Sequence, residues 1–457
     1  MSKFIDSGKQ SNISINRLAF IVSRLLLLTI VVVFSLAIPV GAEPETVLTG
    51  CLNTRSGEFH NIALGLEPFM PCSPTETQVT WSSGVPGVES RLAALEERIA
   101  EMESDLAPLD LTVNCPEESV GEALAQAADR TAHVTITIVG VCTEEVVIAR
   151  DNTTLRGASP GDGLQAPSPD SQVLVLEARG IALEQLTLTG GGAGILATDG
   201  ATFAADDLHI SETNNGVYVE QNADGRLGNS TVENTYIGVS ATTGGVLRMF
   251  GGMIDTCTVH GAEAGFGGHI GLHDGTVVRN TGHVAVTARE GGFIDISDAT
   301  VEDGDLGVFA IAGGHITIDD GSIIQNNLRG GVATDGGSTV QLGGGTRVNN
   351  NGGSGVAAGE SSCLLLGDVI IEHNGSDGVT VGAGTVRFGG GTIIQNNTGH
   401  GIALGPMSAA VFYDDTVQVI GNIGTALICS PGSVAQIIGS PGTISGNGSD
   451  VIDCPLP

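Results

Sequence analysis

The chain has 457 residues, enough for two or three domains of ordinary size. Its 69 glycines and its aromatic content of 4% favour repeated short strands over a large helical domain, and 41% hydrophobic residues are sufficient for a core. The formal net charge of −33 disfavours nucleic acid and anionic membranes as partners. It also disfavours anionic polysaccharides unless a divalent cation bridges them. Solubility or a salty habitat is the simplest reason for this charge.

Residues 1–42 have the features of a secretory signal peptide. Four basic residues are followed by the uncharged stretch Leu25–Pro39, and small residues then precede Glu43. This stretch is shorter than the roughly 20 residues of a membrane span, so we predict cleavage and export, with an uncleaved anchor as the alternative. Cleavage would leave 14 arginines, no lysine and 50 acidic residues, a formal charge near −36. We expect the mature chain to be secreted, displayed on the cell surface or periplasmic, with no membrane span.

Eight cysteines in an exported chain indicate disulfide bonds. Pairing of neighbours is the most economical assignment: Cys51–Cys72, Cys115–Cys142 and Cys429–Cys454. The first bond would stabilise a small β unit that we predict over residues 43–84, because so small a unit has little core of its own.

A heptad pattern occupies residues 85–109. Its apolar positions are separated alternately by four and three residues: Val88, Leu92, Leu95, Ile99, Met102, Leu106 and Leu109. The narrow apolar face predicts a coiled coil, and therefore a homo-oligomer formed through Val88–Leu109 whose copy number the pattern does not specify. A single amphipathic helix packed on its own domain is the alternative.

Residues 110–142 are typical of a cap over one end of a β-helix. Ser119 and Glu122 predict a capping box and a helix that ends near Asp129, and the alternating stretch that follows predicts a strand. Such a cap is needed because an open end would expose unpaired backbone and apolar core.

From residue 143 to residue 457 the chain repeats with a near-constant period of about 23 residues, as in NLRGGVAT, NGGSGVAA, NGSDGVTV and NTGHGIAL. This period fits a coil of three short strands and three turns. Because parallel crossovers are overwhelmingly right-handed, we predict an all-β fold, a right-handed parallel β-helix of about 11 or 12 coils.

One turn of each coil carries a column of mostly asparagine residues. Counted four residues before the repeated glycine, the column is Asn234, Cys257, Asn280, Asp303, Asn327, Asn351, Asn374, Asn397, Asn422 and Asn447. Stacked at about 4.8 Å per coil, the amides can bond along the column and form a structural ladder. Cys257 and Cys363 would lie about four coils apart, too far for a disulfide, so both are predicted to be unpaired and buried.

The cap helix, the stretch HVTITIVGVCTEEVVIARDNTTLRGAS and the ladder coils resemble the pectin lyase-like superfamily over residues 110–454. The resemblance implies the fold but no single function, because the superfamily includes lyases, hydrolases, esterases, epimerases, adhesins and tailspikes. Asp206–Asp207 and Gly399–His400–Gly401 look like parts of a hydrolase site, but about eight coils separate them. We therefore predict no catalytic residue, no metal site and no cofactor, with calcium as an alternative that no motif supports.

A polar patch on three or four adjacent coils is the candidate ligand site. Strand alternation points its members outward: Arg248, His269, His273, Phe293, Asp295, His315 and Asp319. Histidines, carboxylates and an aromatic ring together could bind a sugar, and an ordinary solvated surface is the alternative. His269 and His273 would lie about 13 Å apart along one strand, too far apart to share a metal ion.

These observations predict an exported, non-enzymatic β-helix protein with a structural or adhesive role at the cell surface. Its partners would be further copies of itself and a polysaccharide or a surface protein. The alternatives are a polysaccharide lyase or glycoside hydrolase, or a carbohydrate-binding module, each using the same patch. The near-constant period favours the first interpretation because it leaves little room for long turns that would wall a substrate groove.

Overall fold

A computed structural model describes residues 47–53, 58–82, 93–99, 107–438 and 442–454. The chain divides into two compact units between Glu101 and Met102. The predicted signal peptide and most of the heptad region lie outside the described residues. Within the described ranges, no helix has the length and hydropathy needed to cross a membrane.

The N-terminal unit contains a three-stranded antiparallel sheet. Val47–Asn53 is the central strand, and Phe59–Leu64 and Glu76–Ser82 pair on either side of it. The predicted Cys51–Cys72 bond is present, with a Cα–Cα distance of 5.4 Å. Residues 93–99 form a helix inside the predicted heptad region, and all seven of its residues are exposed.

The second unit is built from three parallel sheets, to which each coil of the chain contributes one strand in turn. Sheet 1 contains Leu109–Asn114, Val134–Val139, Thr153–Gly157, Ile181–Glu184, Thr202–Asp206, Asp224–Gly228, Val246–Phe250, His269–His273, Phe293–Ser297, His315–Asp319, Thr339–Leu342, Cys363–Leu366, Thr385–Phe388, Ala409–Phe412 and Val434–Ile437. Sheet 2 contains Val141–Thr143, Gly163–Gln165, Thr187–Thr189, His209–Ser211, Thr231–Glu233, Met253–Asp255, Val277–Arg279, Thr300–Glu302, Ile323–Gln325, Thr346–Asn349, Val369–Glu372, Ile393–Gln395, Gln418–Ile420 and Thr443–Ser445. Sheet 3 contains Val146–Ile148, Leu174–Leu176, Ala193–Ala197, Asn215–Val219, Ile237–Ala241, His260–Ala264, Val284–Arg289, Leu306–Ile311, Gly330–Thr334, Val356–Ala358, Val379–Val381, Ile402–Leu404, Thr425–Cys429 and Ser449–Asp453.

The stack therefore has about 15 coils, more than the 11 or 12 predicted. The additional coils lie at its N-terminal end, where Leu109–Asn114 already pairs in parallel with Val134–Val139. The coil length is irregular there: the register advances from Val134 to Thr153 in one coil, and by a longer step from Leu155 to Leu183 in the next. The spacing of residues in these first coils therefore shows no repeat, because the period becomes regular only in the coils that follow.

The core consists of columns of aliphatic side chains inside the coil. In sheet 1, Leu247, Ile270, Ile294 and Ile316 lie in register on successive strands and are fully buried. Since strand residues alternate between two faces, the residues between these positions point outward.

A short helix, Val120–Gln126, packs Val120, Ala123 and Leu124 into the core at the N-terminal end. The Ser119 hydroxyl accepts a hydrogen bond from the Glu122 backbone N–H, as the capping box predicts. The reciprocal carboxylate is supplied by Glu144, which accepts from the Val120 N–H at 2.8 Å and from the Ser119 hydroxyl at 2.8 Å. The helix ends at Gln126, short of the predicted Asp129.

The other two predicted disulfide bonds are also present. Cys115–Cys142 and Cys429–Cys454 each have a Cα–Cα distance of 4.9 Å, and they join neighbouring coils near the two ends of the stack.

The asparagine ladder forms in the C-terminal half of the stack: Asn327, Asn351, Asn374, Asn397, Asn422 and Asn447. Asn351 is representative. Its Nδ2 donates to Oδ1 of Asn374 at 3.0 Å and to the Ile324 carbonyl at 3.2 Å, while its Oδ1 accepts from the backbone N and Nδ2 of Asn327. These buried amides are therefore bonded both to the neighbouring rungs and to the backbone.

The predicted ladder positions Asn234, Asn280 and Asp303 are wrong by one residue. These three residues have left-handed backbone, with φ of 53°, 52° and 54°, and the buried column continues instead through Thr235, Thr281 and Gly304. Where the turn is one residue shorter, as between Thr235 and Gly238, counting four residues back from the glycine selects the wrong neighbour.

The two remaining cysteines are unpaired, as predicted, but only Cys257 is buried. Cys363 is half-buried and points outward, because Leu364 and Leu366 occupy the inward positions of its strand. The sequence Cys-Leu-Leu-Leu is apolar at every position, so its pattern could not indicate which residues face the core.

We expect Asn351→Ala to lower the free energy of unfolding by about 1–3 kcal/mol, because it leaves buried backbone and amide groups unpaired. The neighbouring substitution Asn350→Gly is the matched control. Asn350 is exposed and has a φ of 55°, which glycine adopts readily, so stability should change by less than about 0.5 kcal/mol. Chemical denaturation followed by circular dichroism measures both, and equal effects would contradict the assignment of the ladder.

We expect iodoacetamide to modify Cys363 in the native protein and Cys257 only after unfolding. Burial raises the pKa of the Cys257 thiol to about 11, so it stays protonated as well as inaccessible at pH 8. Peptide mass spectrometry before and after denaturation measures the labelling. Cys363→Ser should leave no reactive thiol in the native state, and rapid native labelling of Cys257 would contradict its placement.

Candidate functional site

The seven predicted patch residues lie on four adjacent strands of sheet 1. Three of them form a column of rings, because His269 is in register with Phe293 and Phe293 with His315. The His269 and Phe293 rings are nearly perpendicular with centroids 4.7 Å apart, and His315 stacks on Phe293 at 5.2 Å. The structure therefore brings together rings that belong to different coils and are far apart in the sequence.

A second column beside the rings contains a gap. Arg248, Gly271 and Asp295 are in register, and Gly271 has no side chain. The His273 imidazole lies over this glycine, since a Cβ atom at Gly271 would be 2.3 Å from His273 Nε2. The imidazole thus lies on the coil between Arg248 and Asp295, and its ring centroid is 5.3 Å from that of Phe250.

The charge of Arg248 is partly compensated by Asp224, a neighbour on the preceding strand outside the patch. Nη1 of Arg248 lies 3.0 Å from Oδ1 of Asp224, and both side chains are about half exposed. Partial burial lowers the pKa of His269, and the nearby Arg248 cation adds to this effect. Since an unperturbed histidine has a pKa near 6.5, His269 is a neutral imidazole at pH 7, able both to donate and to accept a hydrogen bond.

The pKa of Asp319 is raised above its usual value, whereas the pKa of an ion-paired carboxylate is lowered. Burial raises it, and the neighbouring carboxylates of Asp320 and Asp295 raise it further. In the part of the chain that the structure describes, no group of three or more histidine, cysteine, aspartate and glutamate side chains is placed to hold a metal ion.

An open groove that the sequence did not reveal adjoins the patch on the preceding coils. Its volume is about 550 Å³, its floor is formed by Ala182 and Ala204, and charged or aromatic side chains surround this floor. These side chains are Glu184, Asp206, Arg226, Phe250 and Asp274. The signal in the sequence was the pair of small outward residues in register, which leave a depression between larger neighbours.

Phe250 connects the groove to the patch. Cζ of the Arg226 guanidinium lies 4.4 Å from the centroid of its ring, and His273 approaches the same ring from the next coil. We call the outward residues of the seven sheet 1 strands from Ile181–Glu184 to His315–Asp319 the sheet 1 face. With strands about 4.8 Å apart, this face extends for about 29 Å along the stack.

His400 has a structural role away from this face. Its Nδ1 accepts a hydrogen bond from the Thr425 backbone N–H at 2.9 Å, and its own backbone N–H donates to Asp377. It therefore joins neighbouring coils, and Gly399–His400–Gly401 lies in the repeat segment NTGHGIAL.

The family model described as right handed beta helix region matches residues 282–439. The second unit is a right-handed parallel β-helix, as predicted. A search of curated proteins found no significant match to this chain.

Solved structures similar to the β-helix are known. They include the A-module of the mannuronan C-5 epimerase AlgE6 from Azotobacter vinelandii, at 16% identity and a TM-score of 0.46, with 74% of this chain and 94% of that chain covered. The periplasmic alginate epimerase AlgG is 12% identical with a TM-score of 0.44, covering 73% of this chain and 77% of that chain. The catalytic domain of a GH87 alpha-1,3-glucanase is 16% identical with a TM-score of 0.38, and the match covers 74% of this chain and 68% of that chain. At such identities the likeness concerns the fold alone, and no residue role is transferred from these proteins.

Proposed function

We propose that the protein is exported and that its β-helix binds a neutral polysaccharide along the sheet 1 face, without chemical change, as an adhesive or structural component of the cell surface. The observation that supports this proposal is the continuity of the face. An open groove runs into a row of aromatic and imidazole rings with arginines and carboxylates beside them.

Sugars need two kinds of contact, and the face offers both. The faces of a sugar ring carry C–H groups that pack on aromatic side chains, and its edges carry hydroxyls that exchange hydrogen bonds with charged side chains. Phe250 and Phe293 are both half-exposed, which leaves part of each ring for a ligand. Arg226 and the neutral His269 supply donors next to them.

The charge of the face favours a neutral chain. Its outward residues include five carboxylates: Glu184, Asp206, Asp224, Asp295 and Asp319. Two arginines accompany them, and Arg248 is already paired with Asp224. An anionic polysaccharide would meet repulsion both here and from the chain as a whole, whose formal charge is −33.

Export is supported by the three disulfide bonds, because such bonds persist mainly in oxidising compartments. The predicted leader at residues 1–42 agrees with this location. Leu109, the last predicted heptad position, instead begins the first strand of the β-helix. Oligomerisation through the rest of Val88–Leu109 is supported by the helix at 93–99, where the apolar Leu95 and Ile99 are 53% and 39% exposed. Several copies in one assembly would bind a repeating polysaccharide with greater avidity than one copy.

We expect the chain without its leader, residues 43–457, to bind neutral polysaccharides on a glycan array with no dependence on calcium. Phe250→Ala and Phe293→Ala should each weaken binding about tenfold, equivalent to about 1.4 kcal/mol, because each removes a ring from the ligand's path. Phe309→Ala is the matched control, since Phe309 is a half-exposed phenylalanine on sheet 3. Failure of the folded protein to bind any glycan, or unchanged binding by both variants, would contradict the proposal.

A polysaccharide-cleaving enzyme is the second candidate, and the raised pKa of Asp319 favours it. A carboxyl group that is protonated more readily than usual can act as a general acid, and Asp295 and His273 are its neighbours. This candidate predicts new reducing ends or unsaturated products on the glycans that are bound. Asp319→Asn and His273→Ala should then abolish turnover, whereas binding without any turnover in the unmodified protein would exclude this candidate.

A further inference from the structure

Exposed apolar side chains are concentrated in the N-terminal unit. The described residues include 19 large apolar side chains that are exposed, and eight of them lie in residues 47–99. Only 39 described residues belong to that segment, whereas 345 belong to residues 107–454. Isolated exposed apolar residues are common on proteins, but such a density marks a surface that is normally covered.

The strand register places two of these exposed side chains, Ile62 and Leu64, on one face of the sheet together with three half-buried apolar residues. Leu48 and Leu52 lie on the same side of the central strand as Gly50, and Leu64 is directly opposite Leu48. Val79 is opposite Gly50, and Ile62 lies against the same glycine, with Cγ1 3.0 Å from the position of a Cβ atom there. We call Leu48, Leu52, Ile62, Leu64 and Val79 the apolar sheet face.

The opposite face of this sheet is partly covered by other residues of the same unit. Thr49 and Cys51 point to that side and are buried, and the Cys51–Cys72 bond ties the following loop over them. The Thr49 hydroxyl donates to the Gly65 carbonyl at 2.6 Å, and His60 pairs with Glu76 at 2.6 Å. On the apolar sheet face, by contrast, Ile62 is 49% exposed and Leu64 is 74% exposed.

We propose that the apolar sheet face packs against the same face of other copies of this chain, so that residues 47–99 form a self-association module. An apolar sheet face has to be buried against another layer, and the described residues of this small unit supply no further layer. The inference deepens the oligomerisation proposed above, because it rests on the heptad helix and adds a second contact to it.

Continuity with the heptad helix identifies the partner as a second copy. Only residues 83–92 separate the sheet from helix 93–99, a length that spans no more than about 40 Å. Copies joined through their heptad helices therefore hold their sheets at high effective concentration.

Charge supports the same partner. The chain has a formal charge of −33, so two copies repel each other over most of their surfaces. The apolar sheet face contains no charged residue, so two such faces do not repel each other by direct contact of like charges.

Sedimentation velocity of residues 43–457 over a range of concentrations tests the proposal. We expect the unmodified chain to be oligomeric and the double variant Ile62→Ser/Leu64→Ser to dissociate at concentrations at least tenfold higher than the unmodified chain does. Leu328→Ser is the matched control, because Leu328 lies on the β-helix and is 74% exposed, as Leu64 is. Leu95→Ser/Ile99→Ser tests the helix by itself.

The possible outcomes separate the two contacts. A monomeric unmodified chain would overturn both the coiled coil and the self-association module. An oligomer that the helix variant dissociates, but the sheet variant leaves intact, would overturn the present inference and leave the coiled coil standing. Peptide mapping of the Cys51–Cys72 bond in each variant verifies that the unit is folded.

A second measurement avoids removing apolar side chains. In a Cys363→Ser background, which removes the accessible thiol of the native chain, Leu64→Cys should form covalent dimers with a bifunctional thiol reagent long enough to span the sheet, seen on a gel, because the proposed packing places residue 64 of each copy at the interface. Leu328→Cys should not. Absence of cross-linking in the oligomeric Leu64→Cys chain would also overturn the inference, and neither readout depends on glycan binding.

Discussion

Hydrogen bonds between successive coils hold each residue of the β-helix beside its equivalent on the next coil, and the rest of the molecule depends on this register. Because parallel strands pair without sliding, a side chain type that recurs in the sequence becomes a column in space. Inward columns are aliphatic and form the core. The turn column becomes the asparagine ladder, whose amides bond both to each other and to the backbone.

The same register explains how the proposed binding face can form without long loops. On sheet 1 the outward positions of successive coils are free to vary, since they contribute little to the core. Small residues at Ala182 and Ala204 open a groove, and rings at Phe250, His269 and Phe293 continue it. A long, flat face of this kind suits an extended ligand that repeats along its length.

The ends of the chain follow different rules from the repeat. At the N-terminal end of the β-helix, Glu144 completes the cap of the helix that begins after Ser119, although it is far from that helix in sequence. The N-terminal unit has an amphipathic sheet instead of an enclosed core. One of its faces is closed by the Cys51–Cys72 bond, and on the other Ile62 and Leu64 are exposed.

The sequence by itself determined the fold class, the three disulfide pairs and the outward position of the patch residues, because these depend on local alternation, spacing and repeat length. It could not determine the phase of the Cys363 strand, which is apolar throughout, or the ladder position next to Asn234, where a turn is one residue shorter. It did not reveal the first coils either, because their length varies.

Only the tertiary structure decided which side chains are neighbours across the coils: His273 lies over Gly271, Arg226 over Phe250, and Glu144 at the start of the helix. Those contacts join residues of different coils or fill space left by a missing side chain, and periodicity carries no information about either.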